Sequence, residues 1–278
     1  MKYRVVVSAE NSPYVAWQCK LLHYSCATRL GRLPLFVVHE TGAPLHPDFL
    51  DIVRAGGELL RAPSYRRTGR GDDYAPRNTA GSLLHAAAAC EGGEDEFLVL
   101  CDPDLIFTRE PEFPAALSGA FYSYVNFDLD FVEEARLALG IPRADIEAEK
   151  ERLRCGTPYV VPAGAAGALA SAWLRALDAF PPRRWEDIMY AFGMAALMSG
   201  LRVELTHLAE TNYRQLGRTD APVLHYCYGD ATWNKRRFLT EEQAPAVWDD
   251  APEVERGSIL GEILSQIREA RDFYRKPW

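Results

Sequence analysis

The chain has 278 residues, of which 48% are hydrophobic, 25% charged and 11% aromatic, a globular composition with ample material for a core. A formal net charge of −8 excludes a general nucleic-acid binder, which presents a dominant basic face. No apolar run reaches the ~18 residues of a membrane span. None of the six cysteines falls in a C-x-x-C pair, so neither a zinc site nor a thioredoxin-like motif is indicated.

In chain order, residues 3–7 read as a first strand with no signal peptide before it, which with the cysteine usage points to a reducing, cytoplasmic setting. Ser12-Pro13, a cap followed by proline at the first helical position, opens a helix over 14–30. A second strand follows at 35–39, then a loop over 61–78 that gathers Arg61, Arg66, Arg67, Arg70 and Arg77. Such a long loop is either a functional, phosphate-facing segment or a solvated one. An Ala-rich helix over 79–90 leads into a buried strand at 97–100.

Further along, 120–126 reads as a strand and 131–153 as helix broken at Gly140-Ile141-Pro142. Residues 159–161 are extended, and 165–180 and 186–199 are helical, the latter stopped by Gly200. Strands follow at 201–205 and 223–226. Residues 252–274 place Val254, Ile259, Ile263, Leu264 and Ile267 on one side of an amphipathic helix. Strands alternating with helices are the pattern of a layered α/β fold, here a single domain with a C-terminal helical extension.

The chemistry concentrates at Phe97-Leu98-Val99-Leu100-Cys101-Asp102-Pro103-Asp104. An apolar strand ends on two carboxylates, and burying a carboxylate is costly unless it is paired or bound to a cation. Ligands of open α/β sheets bind beyond the C-terminal strand ends, so Asp102 and Asp104 are candidate oxygen ligands for Mn²⁺ or Mg²⁺ on a diphosphate. An isolated D-x-D also fits a plain turn after a strand. The segment from Val223 to Asp230, with His225 at a strand end and Gly229 and Lys235 downstream, favours the metal. There His225 is a third ligand and Lys235 a point charge for phosphate. Glu186 and Asp187 open a helix, where acids complement the dipole or, facing a crevice, serve as the reacting carboxylate of sugar transfer; of the two, Asp187 is preferred.

These residues, in this order, resemble the nucleotide-sugar glycosyltransferases of GT-A fold. The closest likeness is to the plant peptidyl serine α-galactosyltransferases and hydroxyproline O-arabinosyltransferases, over roughly residues 3–240. Ser8-Ala9-Glu10-Asn11-Ser12-Pro13-Tyr14-Val15-Ala16-Trp17-Gln18 looks like that family's nucleotide-strand signature. Pro76-Arg77-Asn78-Thr79-Ala80-Gly81 looks like its donor-facing segment, and Cys155-Gly156-Thr157-Pro158-Tyr159 like its Gly-x-Pro turn. Met189-Tyr190 and His225-Tyr226 resemble its Met-Tyr helix and closing His-Tyr. Where the family carries an acid directly before Met-Tyr, this chain has Ile188, which leaves the catalytic carboxylate open between Asp187 and Glu186.

The resemblance implies a Rossmann-like GT-A domain with a mixed central sheet flanked by helices over residues 1–240, and a helical extension packed on it over 241–278. It implies a metal-dependent, retaining transfer of galactose or arabinofuranose from a UDP-sugar to a hydroxyl of a peptide, protein or peptide-like natural product. Asp102, Asp104 and His225 would hold Mn²⁺ (or Mg²⁺); Ser8, Glu10, Tyr14, Arg77, Asn78 and Lys235 would line the donor site. Two other classes fit the D-x-D: a phosphohydrolase with Asp102 as aspartyl nucleophile, and a nucleotide-sugar binding protein without turnover.

Overall fold

The computed structural model describes every residue except 91, 92, 94, 181–183, 211–216, 228, 230, 277 and 278. The chain begins with strand β1 (Lys2–Glu10), helix α1 (Pro13–Ser25), β2 (Leu35–His39), α2 (Pro47–Arg54), β3 (Glu58–Ala62), α3 (Arg77–Ala89) and β4 (Glu96–Cys101). It continues through β5 (Leu105–Phe107), β6 (Ser118–Phe121), α4 (Asp130–Leu139), α5 (Arg143–Glu149), β7 (Cys155–Pro162), α6 (Ala163–Leu177) and α7 (Asp187–Met198). The last elements are β8 (Glu204–Thr206), β9 (Ala209–Glu210), β10 (Val223–His225) and α8 (Ile259–Tyr274). Seven strands take the order β3-β2-β1-β4-β7-β6-β8, and a small sheet the order β5-β10-β9. The large sheet is mixed: β1 runs parallel to β4, and β7 antiparallel to β4 and β6. The expected layered α/β class is therefore the observed one.

The chain divides into two compact units. The first comprises Met1–Ser8, Ala62–Cys101 and Phe113–His207. Its helix α6 packs against α3 and α7 and on β4 and β7, while α3 meets β4 and α7 meets β7. The second comprises Ala9–Arg61, Asp102–Glu112 and Leu208–Trp278. Its core joins Trp17, Leu21 and Tyr24 of α1 to Ile106, Leu224, Tyr226, Trp233 and Phe238, and to Ile259, Leu260, Ile263, Leu264 and Ile267 of α8. The amphipathic stripe read at the C-terminus is thus buried on α1, with Ser258 capping α8 through the Gly261 amide.

Several boundaries differ from the sequence reading, each for a physical reason. The helix at 14–30 is α-helical only to Ser25, followed by a π-helical turn over Cys26–Leu30. At that junction the Ser25 hydroxyl donates to the Leu22 carbonyl and accepts from the Phe107 amide. The strand expected at 120–126 ends at Phe121, where the chain turns and the Tyr122 hydroxyl donates to the Thr157 carbonyl. The extended stretch at 159–161 lies in the C-terminal half of an eight-residue strand, β7. Pro158 cannot donate to a ladder, but β6 slips register between Gly119 and Ala120, opposite Gly156 and Tyr159, so Thr157 and Pro158 are skipped. The loop at 61–78 is shorter than expected, because β3 runs to Ala62 and α3 starts at Arg77. No helix among the described residues is long and apolar enough to cross a membrane.

Candidate metal centre

β4 is apolar from Phe97 to Cys101 and buried throughout that run, because β1 and β7 cover both of its edges. Immediately beyond it, Asp102-Pro103-Asp104 turns the chain into β5, with the Leu105 amide donating to the Asp102 carbonyl at 3.4 Å. β5 pairs antiparallel with β10, placing His225 opposite Leu105. One residue later the Tyr226 amide donates to the Asp104 carbonyl at 3.1 Å. This backbone frame sets the side chains: His225 Nε2 lies 3.2 Å from Asp104 Oδ1. One ligand atom from each of Asp102, Asp104 and His225 lies within 4.8 Å of the others.

Lys235 completes the cluster. Its Nζ donates to Asp104 Oδ2, and both residues are only 7% exposed. The approach depends on Gly229: a Cβ there would run into the Trp233 carbonyl oxygen and the Asn234 Cα, so only glycine lets this loop fold back. Asn234 caps the short helical turn Lys235–Arg237 through the Arg236 amide. Trp233 and Phe238 anchor the turn in the core, and the Phe238 carbonyl accepts from Trp17 Nε1 at 3.2 Å. The Lys235 ammonium stands 5.9 Å from the ring centres of both Tyr14 and Tyr226.

Charge follows from this packing. Burial would raise Asp104, but Lys235 and then His225 outweigh it and hold its carboxyl far below the ordinary carboxylate range. For Asp102, burial and then the Asp104 charge push the carboxyl up to about 6, against the opposing pull of His225 and Lys235. Burial would lower Lys235, yet Asp104 dominates and its ammonium is held more firmly protonated. The donor set of two carboxylates and one imidazole suits a divalent ion such as Mn²⁺ or Mg²⁺. The two buried like charges give such an ion a reason to bind, since it relieves their repulsion.

The other residues read from the sequence fall as follows. Tyr14, at the start of α1, and Glu10, at the end of β1, belong to the same unit as the metal cluster. Ser8, Arg77, Asn78, Glu186 and Asp187 belong to the first unit. Ser8 is buried and its hydroxyl accepts from Ser82 of α3 at 2.9 Å. Arg77 is a loop organiser: Nη1 donates to the Tyr65 and Arg67 carbonyls and Nη2 to Asp178. Asn78 Oδ1 accepts from the Tyr65 amide at 2.8 Å. Asp187 is fully buried and its Oδ2 accepts from the Arg184 amide at 2.9 Å, whereas Glu186 is half-buried. Of the arginine-rich segment, Arg66 pairs with Asp73, Arg67 donates to the Gly71 carbonyl, and Arg61 pairs with Glu40. Tyr228 and Asp230 lie outside the described residues. Sequence reasoning missed Tyr226 as a wall for the ammonium; its only signal was its place next to His225.

No protein-family model and no curated protein matches the chain. Solved structures that it resembles include glycosyltransferases. One is the apo bifunctional glycosyltransferase WbbM, with a TM-score of 0.47 and 12% identity over 99% of this chain and 51% of that one. The chain thus spans about half the length of the WbbM structure. Another is the galactosyltransferase LgtC in complex with donor and acceptor sugar analogues, with a TM-score of 0.45 and 12% identity over 88% of this chain and 96% of that one. An active-site mutant of LgtC scores 0.45 at 12% identity, over 88% of this chain and 93% of that one.

Proposed function

We propose that this protein is a metal-dependent glycosyltransferase that moves a sugar from a UDP-sugar to a hydroxyl. The observation that carries the reading is the convergence of Asp102, Asp104 and His225, from two separate stretches of chain, on one point where Asp104 is buried and its two partners are half-buried. Asp102, Asp104 and His225 would hold Mn²⁺ or Mg²⁺, which when bound neutralises negative charge on a diphosphate. Lys235 supplies a second cation for the departing UDP. Tyr14 walls the position of that ammonium. Ser8, Glu10, Arg77 and Asn78 are assigned to the donor side, Arg77 and Asn78 by holding the Tyr65 segment in place. Asp187, with Glu186 as the second choice, is assigned as the reacting carboxylate.

The sequence resemblance favours galactose or arabinofuranose as the sugar, retention at the anomeric carbon, and a peptide, protein or peptide-like natural product as acceptor. A cytoplasmic setting is proposed separately, from the cysteine usage. The test is UDP-sugar hydrolysis and transfer with EDTA and with Mn²⁺ added back. Activity is expected only with metal, and full metal-independent turnover by an Asp102→Ala/Asp104→Ala variant would sink the proposal.

A further inference from the structure

Both oxygens of Asp104 are already engaged by nitrogen: Oδ1 by His225 Nε2 at 3.2 Å and Oδ2 by Lys235 Nζ. A divalent ion entering the cluster would therefore share one carboxylate with a buried ammonium, two cations drawing on a single negative charge. The Lys235 backbone is fixed by its core neighbours Trp233 and Phe238, while its four-carbon stem is flexible, so the side chain can move where the backbone cannot. A buried ammonium that loses its counter-ion needs another anion at once. The neighbouring Arg237 offers no replacement cation, because its guanidinium is turned back onto the Thr232 and Ala231 carbonyls.

We propose that Lys235 is a tethered cation that latches Asp104 in the metal-free protein and passes to the diphosphate of the nucleotide once a divalent metal takes that carboxylate. The inference rests on the nucleotide-sugar reading above and extends it, because it sets an order of binding. Metal enters first and, by releasing Lys235, strengthens nucleotide binding. By linkage the nucleotide strengthens metal binding by the same factor. Without metal the latch keeps the phosphate-binding cation occupied, so that nucleotide alone is held weakly.

The test measures UDP binding by titration calorimetry in EDTA and Mn²⁺ binding without nucleotide. Asp104→Asn opens the latch, so it should bind metal-free UDP about tenfold more tightly than the natural protein. That gain should vanish in Asp104→Asn/Lys235→Met. Lys235→Met alone should bind Mn²⁺ about tenfold more tightly and bind UDP less tightly in the presence of Mn²⁺. An unchanged metal-free UDP affinity in Asp104→Asn, or a gain that persists in the double variant, overturns the latch while leaving the glycosyltransferase reading intact. A natural protein that binds neither Mn²⁺ nor UDP removes that reading and the latch with it. If Asp104→Asn does not fold, the Mn²⁺ affinity of Lys235→Met decides, and an affinity no tighter than that of the natural protein counts against the latch.

Discussion

His225 Nε2 lies 3.2 Å from Asp104 Oδ1 because the antiparallel register of β5 and β10 sets His225 opposite Leu105, one residue beyond that aspartate. The contact is a product of strand pairing across 121 positions of sequence, and the side chains only complete what the backbone arranges. It also means that damage to either strand reaches the metal cluster directly.

Removing Asp104 should cost stability as well as metal. Asp104→Ala leaves the buried Lys235 ammonium without its carboxylate, and breaking a buried ion pair from one side costs about 3–5 kcal/mol. Denaturant unfolding without metal measures this. A loss below about 1 kcal/mol, the range of exposed pairs, would mean that the pair adds nothing in solution.

Asp102 gives a pH signature of opposite sense to an ordinary salt bridge. Its carboxyl is raised from 3.8 to about 6, first by burial and then by Asp104. A raised folded-state value contributes stability that is present below pH 3.8 and lost as pH rises through about 6. Metal-free Asp102→Asn should therefore be the more stable protein at pH 7, and should no longer be stabilised by Mn²⁺. Melting curves of both proteins, with and without Mn²⁺, test this; a variant that is less stable at pH 7 refutes it.

His23 provides the converse slope. It is fully buried, shares a 2.6 Å hydrogen bond from Nδ1 with the Tyr274 hydroxyl, and is lowered from 6.5 to about 4 by burial. A depressed value contributes stability that is present above pH 6.5 and lost as pH falls through about 4, a change of about 3 kcal/mol. The His23 and Asp102 slopes oppose each other over much of the same range, so each is read as the difference between the natural protein and its own variant. His23→Gln should remove the loss at low pH; a variant with the same acid sensitivity as the natural protein excludes His23 as its source.

Gly229→Ala should disturb the centre without touching a ligand. The added Cβ meets backbone atoms of Trp233 and Asn234, which cannot swing away as a side chain would. We expect a loss of about 1–3 kcal/mol from the forced backbone shift, together with weaker UDP binding in Mn²⁺ as Lys235 leaves its place. Crystallography or calorimetry of the variant would show the displacement, and unaltered UDP affinity would dissociate Gly229 from the placement of Lys235.

Much of this molecule was legible in the chain itself. The Ser12-Pro13 cap, the apolar run into Asp102 and the stripe of Ile259, Ile263, Leu264 and Ile267 each state a local rule that the fold obeys. The residue types at Asp102, Asp104 and His225 already marked a candidate cation site, because buried carboxylates demand a positive partner, and the fold brings the three together. What local sequence could not supply was which partner each group takes. Lys235, read as a phosphate ligand, bonds Asp104, and Arg77, read as a donor contact, bonds the Tyr65 and Arg67 carbonyls and Asp178, partners that no local pattern announced. Likewise, Pro158 hid the length of β7, since only its partner strands supply the slip in register that tolerates it. Periodicity and capping are properties of neighbours in sequence and so can be read there. Ion-pair choice, strand register and the burial that moves Asp102 and His23 in opposite directions depend on groups brought together from distant positions, and tertiary structure alone decided them.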